Sequence, residues 1–313
     1  MPTVQDSGLV ASLLGLDRNG RALFALRTLR MFGYGFLAVV LVLYLDAIGL
    51  DPVAIGAVLT LTLVGDTLLS LWLTTNADRL GRRRVLAAGA ILMLFAGIVF
   101  AVTTWVPLLI LAGAVGVISP TGNEVGPFLA VEQAALTQIV PDRRRTATFA
   151  WYNLAGYVAT ATGALTAGLI SQAILAGGFA PVEAYRSIVV GYALIGILMA
   201  AGVLRLDARI EPPPATQPPD GIRRRLGLGR SKAVVLRLSV LFSIDAFGGG
   251  FIPQSLMAYW FHLQFGAEPA LLGAIFFGAN LLAAVHRCPR LASPRGSGSS
   301  TLWSSPTCRR TCC

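Results

Sequence analysis

Three carboxylates stand inside long apolar runs. Asp66 lies midway along one, in LVGDTLL. Glu124, beside Asn123, lies past the middle of another, in SPTGNEVGP. Asp245 lies just ahead of Gly248–Gly250 in a third. An ionised acid is costly in hydrocarbon, so each must face a water-filled cavity or a partner. A carboxylate so placed can take up and release protons near neutral pH. Glu124 ranks first for that role, Asp66 second and Asp245 third. Asn123, Tyr152, Asn153 and Gln254 are candidates for polar cavity lining, with plain interhelical hydrogen bonding as the simpler reading. Glu132 reads as an interfacial charge. Arg27 and Arg30 read as side chains snorkelling to a membrane face. His262 is the one histidine before residue 286, and reads as interfacial. No nucleophile–base pair and no His/Asp/Glu metal cluster stands in these runs, so no catalytic residue, metal or cofactor is assigned and an enzyme is not expected.

The elements that must position these acids follow from composition. Of 313 residues, 55% are hydrophobic and 13% charged, with a mean hydropathy of +0.70. A soluble domain carries about 25% charged residues. This composition argues against a soluble enzyme and a disordered chain, and an all-α polytopic membrane protein is expected. Eight apolar stretches are long enough to cross about 30 Å of hydrocarbon, at 31–50, 53–74, 85–105, 107–133, 148–172, 186–204, 238–261 and 269–285. The sequence SPTGNEVGP should break or kink the fourth, a break tolerated at membrane depth only inside protein or beside water.

Nineteen of the 25 basic residues fall before span one, between spans two and three, between four and five, and between six and seven, against Arg186 alone in the opposite loops. The positive-inside rule then places the N-terminus in the cytoplasm. The net charge of +10 is thus a topology signal rather than a nucleic-acid one, and the lipid bilayer is the partner it implies. With one lysine among these 25 residues and no organelle address, the chain is placed in a bacterial inner membrane.

Residues 205–237 form the one long connection. EPPPATQPPDG is too proline-rich for helix, and RRRLGLGRSK after it could lie on anionic headgroups. The expected division is a six-helix N-terminal bundle (1–204), a cytoplasmic linker (205–237), two helices of a second bundle (238–285) and a tail (286–313). The blocks resemble each other. Gly49–Leu59, GLDPVAIGAVL, aligns without a gap on Gly266–Phe276, GAEPALLGAIF. Parallel repeats of this kind mark the halves of a carrier whose site lies between them.

Between spans two and three stands TTNADRLGRRRVL, Thr74–Leu86. It resembles the signature of the major facilitator superfamily, glycine-x-x-x-Asp-Arg-x-Gly-Arg-Arg. Asp78, Arg79, Gly81, Arg82 and Arg83 match, and Thr74 replaces the first glycine with another small residue. Asp78 can pair with nearby arginines and Gly81 permits a tight reversal. The resemblance implies a two-bundle, twelve-helix fold with alternating access to a central cavity. It implies gating, not substrate contact, for those five residues. It further implies a secondary active transporter of a small organic solute, with protons as the coupling ion and export as one direction open to it. Two patterns of the drug antiporters are missing: span four carries no arginine and span five no Gly-Pro pair. The competing reading is a non-transporting membrane scaffold or receptor.

After Val285 the chain turns to Arg, Ser, Pro and Cys. All four cysteines (Cys288, Cys308, Cys312, Cys313) lie there, in no zinc-like spacing. A GC-rich gene read out of frame gives this composition. The expectation is a carrier cut short after its eighth span, a disordered tail, and no transport by the chain as it stands.

Overall fold

The computed structural model describes residues 16–124, 126–207, 210–211, 232–250 and 252–286. The tail, and most of the linker, lie outside the described residues. Everything regular in the described part is helix. In chain order the helices are α1 (Arg18–Ala38), α2 (Leu41–Ala47), α3 (Pro52–Leu80), α4 (Arg82–Val102), α5 (Val106–Val115), α6 (Phe128–Ile139), α7 (Asp142–Ala176), α8 (Pro181–Leu204), α9 (Lys232–Gly250), α10 (Gln254–Phe265) and α11 (Pro269–His286).

Four helices (α3, α4, α7 and α8) are long and apolar enough to cross a membrane, and α1 with α2 makes a fifth span bent by 42°. With the sequence's apolar surface spread outward over Leu68, Trp72, Ile91, Leu169 and Leu198, all exposed, the chain is an integral multi-pass membrane protein. The fourth expected span is interrupted: α5 stops at Val115, residues 116–124 and 126–127 are irregular, and α6 starts at Phe128. Val117 sits there at φ 54°, a strained value for a β-branched residue. The seventh expected span is likewise two helices, parted before Pro253.

The first span departs from the expected 31–50. Helix α1 starts thirteen residues earlier because Asp17 caps it, its carboxylate accepting the Gly20 amide at 2.7 Å. Arg27 and Arg30 therefore lie within the bundle rather than at its edge. Both members of the sequence repeat open a helix at their proline, Pro52 and Pro269, just after a glycine with positive φ (88° at Gly49, 63° at Gly266).

Helices close on one another through small residues, as expected where lipid supplies no hydrophobic drive. A Cβ on Gly35 of α1 would stand 2.1 Å from the Thr160 carbonyl oxygen of α7, and one on Gly163 of α7 would stand 2.2 Å from the Phe32 oxygen. The same device joins α7 to α11, where Gly168 faces Pro269 and Gly273. At the far end of the bundle from Arg18 and Asp142, the Tyr259 hydroxyl of α10 donates to Asp46 at 2.8 Å, and midway the Ser255 amide donates to the Pro120 carbonyl at 3.0 Å.

Candidate functional site

Arg27 and Arg30 are one turn apart on α1 and so share a face. Arg30 is fully buried. Its Nη1 and Nη2 donate to the two oxygens of Glu132 at 2.5 and 2.8 Å, a bidentate pair, and its Nε donates to Glu124 at 3.0 Å. Nη2 also bonds Glu124. Glu132 is fully buried too, and takes a further hydrogen bond from the Tyr152 hydroxyl of α7. The expectation that Glu132 is an interfacial charge fails, because α6 turns it inward onto Arg30. The snorkelling of Arg27 and Arg30 fails for the matching reason: both guanidinium groups find carboxylates inside and never reach the membrane face. Arg30 also lies over the Phe128 ring, 4.4 Å from its centroid, and Arg27 over Tyr152 at 4.3 Å.

Glu124 joins the two arginines. The break in span four carries it off any helix, so its carboxylate reaches across to α1, with Arg27 Nη1 2.9 Å from Oε2. Arg27 Nη2 donates to Asn153 at 3.3 Å. A Cβ on Gly156 would stand 2.9 Å from Arg27 Nε, so glycine there makes room for the guanidinium. Beside these groups is a cavity of about 320 Å3, lined by Arg27, Asn123, Glu124, Gln133 and Asn153 with Met31 among the apolar contacts. Asn123 and Asn153 are thus brought to the cavity, whereas Tyr152 is buried in the ion-pair cluster.

Asp66 is elsewhere. It is buried on α3, takes the Ser70 hydroxyl at 3.4 Å, and faces the Gly126 backbone amide released by the break in span four. Asp245 falls in α9, with its side chain outside the described residues. Gln254 packs against Gly122, and His262 is half-buried with Nδ1 2.9 Å from the Ala267 oxygen.

The Asp78–Arg83 turn forms a second cluster. Gly81 ends α3 at φ 92°, ψ 127°, and α4 starts at Arg82. Asp78, largely exposed, accepts from Arg82 Nε at 3.1 Å, while Arg79 is exposed. Sequence reasoning missed the partner of this turn. Glu211 reaches back from beyond α8 and accepts the Arg82 and Arg83 amides, the first two of α4, at 2.7 and 3.1 Å. A carboxylate at that place satisfies orphan amides and meets the positive end of the helix dipole. Arg83 Nη2 in turn donates to the Leu204 oxygen at 2.6 Å. Gly81→Ala should destabilise by about 1–3 kcal/mol through backbone strain, and Glu211→Ala by about 1 kcal/mol through loss of the cap. Thermal unfolding in detergent checks both, and equal melting of Gly81→Ala and the unaltered chain would refute the first.

The family model of the Major Facilitator Superfamily matches residues 23–306. An uncharacterized membrane protein of Saccharomyces cerevisiae is 31% identical over 300 residues, an alignment covering 87% of this chain and 67% of that protein. With a family match running from the first arginine-bearing helix through both repeat segments, the chain belongs to the Major Facilitator Superfamily.

Proposed function

We propose that the fold is that of a proton-coupled secondary transporter of a small organic solute, working by alternating access once its second bundle is complete, with Glu124 as the coupling carboxylate. One observation carries this reading. Glu124 alone among the clustered acids both lines the cavity and pairs with the arginines, whereas Glu132 is sealed inside. With two arginines and two glutamates ionised, the cluster is neutral. A proton on Glu124 leaves one positive charge in excess in a low-dielectric site, and that imbalance must be relieved by rearrangement or by a ligand. Asp66 is a second proton site in this reading, Asn123 and Asn153 contact the solute, and Asp245 answers from the second bundle.

The turn of Asp78, Arg79, Gly81, Arg82 and Arg83 gates the arginine-rich end, which we orient to the cytoplasm of a bacterial inner membrane. Direction follows from the gradient each partner runs down, and export fits the carrier as well as uptake does.

Infrared difference spectra of the reconstituted chain, taken between about pH 8 and about pH 5, test the coupling role. The carbonyl stretch of a buried protonated carboxyl should appear on acidification, and Glu124→Gln and Asp66→Asn should each remove its own part of it. A band unchanged in Glu124→Gln sinks the assignment.

A further inference from the structure

We infer that the solute bound in this cavity is a small organic monocarboxylate, held by its carboxylate on Arg27 in the seat that Glu124 occupies. The inference rests on the proton-coupled reading and names the solute class for the same cavity.

Arg27 is the centre of this site. Its side chain is 6% exposed, yet its Nε and Nη1 have no hydrogen-bond partner among the described residues. Nη1 is 2.9 Å from Glu124 Oε2, close enough to attract, but the pair makes no hydrogen bond and Oε2 is likewise unsatisfied. Arg30 differs in its hydrogen bonds: its three nitrogens all donate, to Glu124 and Glu132. One arginine is therefore structural and saturated, while the other is buried, under-satisfied and set on the cavity wall. A buried donor left unmade is costly, and a ligand that completes it recovers that cost on binding.

The shape and charge of the site select the ligand. Tyr152 supports one face of the Arg27 guanidinium and Gly156 leaves room at its edge, so its orientation is set in advance. Nε lies on the edge against Gly156, so the fork open to a ligand is Nη1 with the second N–H of Nη2, and a planar fork matches a planar carboxylate better than a rounder anion. The titratable and charged groups around Glu124 are Arg27, Arg30 and Tyr34 on α1, Glu132 on α6, Tyr152 and Tyr157 on α7, and Asp66 on α3. Within the ion-paired cluster, protonating Glu124 frees a single positive charge. The complement is a monoanion. At about 320 Å3 the cavity stands at the small end of ligand sites, which run from about 300 to 1,000 Å3. Asn123, Gln133 and Asn153 offer amides to further polar groups, and Met31 an apolar surface to a short hydrocarbon part. Proton and carboxylate then enter together: the proton takes Glu124 off Arg27, and the solute takes its place.

Radiolabelled benzoate, bound to the whole chain in phospholipid nanodiscs and read by scintillation proximity, tests this at about pH 5.5 and about pH 7.5. The unaltered chain should bind more tightly at the acidic pH. Glu124→Gln should bind at pH 7.5 about tenfold more tightly than the unaltered chain and lose the pH dependence. Arg27→Gln should weaken binding about tenfold or more in either background, with Arg27→Lys between, since it keeps charge without the fork. Where Glu124 is kept, both leave it paired to Arg30, and matching elution profiles confirm intact folding. Excess benzamide and excess inorganic phosphate should displace nothing. Displacement by benzamide, or binding in Arg27→Gln/Glu124→Gln equal to that in Glu124→Gln alone, overturns the carboxylate site. Displacement by phosphate overturns the carboxylate class. Benzoate held through Arg27 but indifferent to pH and to Glu124→Gln supports the site and removes Glu124 from coupling. An infrared band lost in Glu124→Gln, without Arg27-dependent benzoate binding, leaves the coupling reading and ends this one.

Discussion

Glu132→Ala should cost the fold about 3–5 kcal/mol, the range for removing one partner of a buried ion pair. Glu132 and Arg30 are both fully buried, so neither can turn to water when the other is gone. The alanine would strip the bidentate bonds from Arg30 and leave the Tyr152 hydroxyl without its acceptor. Glu124 would remain as Arg30's acid, shared with Arg27. The ion pair need not be stabilising against an apolar replacement. Arg30→Met combined with Glu132→Leu should recover most of the loss, because desolvation then falls away with both charges. Denaturant unfolding in mixed micelles separates the two outcomes. A single substitution within about 1 kcal/mol of the unaltered chain would mean that α6 is held by packing on Phe128 and not by charge.

Gly35→Leu should be as damaging, for a steric reason. The added Cβ would stand 2.1 Å from a backbone oxygen, and backbone cannot swing aside as a side-chain tip can. Helices α1 and α7 must part, which costs about 3 kcal/mol or more and also draws Arg27 away from Asn153. Gly56→Ala and Gly278→Ala provide the contrast. Nothing lies within 4 Å of a Cβ at either, so both should be neutral or raise stability by up to about 1 kcal/mol through better helix propensity. If all three variants melt alike, close approach of α1 and α7 is not what Gly35 provides.

The parts of this molecule that were legible in its sequence were those where one local cause dominates. Apolar runs identified the long spans, because nothing but helix can satisfy backbone groups in lipid. SPTGNEVGP announced the interruption of span four, since proline and glycine act on the backbone where they stand. The pairing of Asp78 with Arg82 was legible because an acid and several arginines stand in one tight turn about Gly81. The buried cluster was hidden because hydropathy treats arginine as an edge marker. Arg27 and Arg30 are inside only because Glu124 and Glu132, about a hundred residues on, neutralise them there. Two signals could have exposed this. Asp17 stands three residues before Gly20 as a capping residue should, and two arginines at helical spacing match two acids at a distance in charge. The Glu211 cap offered no such signal, since its carboxylate meets α4 across 129 positions of chain.

The broken span has a consequence for inheritance. Val117 with its positive φ, and Gly122 and Gly126 at φ 68° and 81°, hold the break open. That break aims the Gly126 amide at Asp66, and it puts Glu124 within reach of α1. A chain that straightened residues 116–127 into helix would withdraw the amide and leave the buried Asp66 carboxylate with Ser70 for company. Asp66 on α3 and the glycines about sixty positions later are thus coupled: a substitution at one changes what a substitution at the other costs, while Glu124 gives the bend a second use.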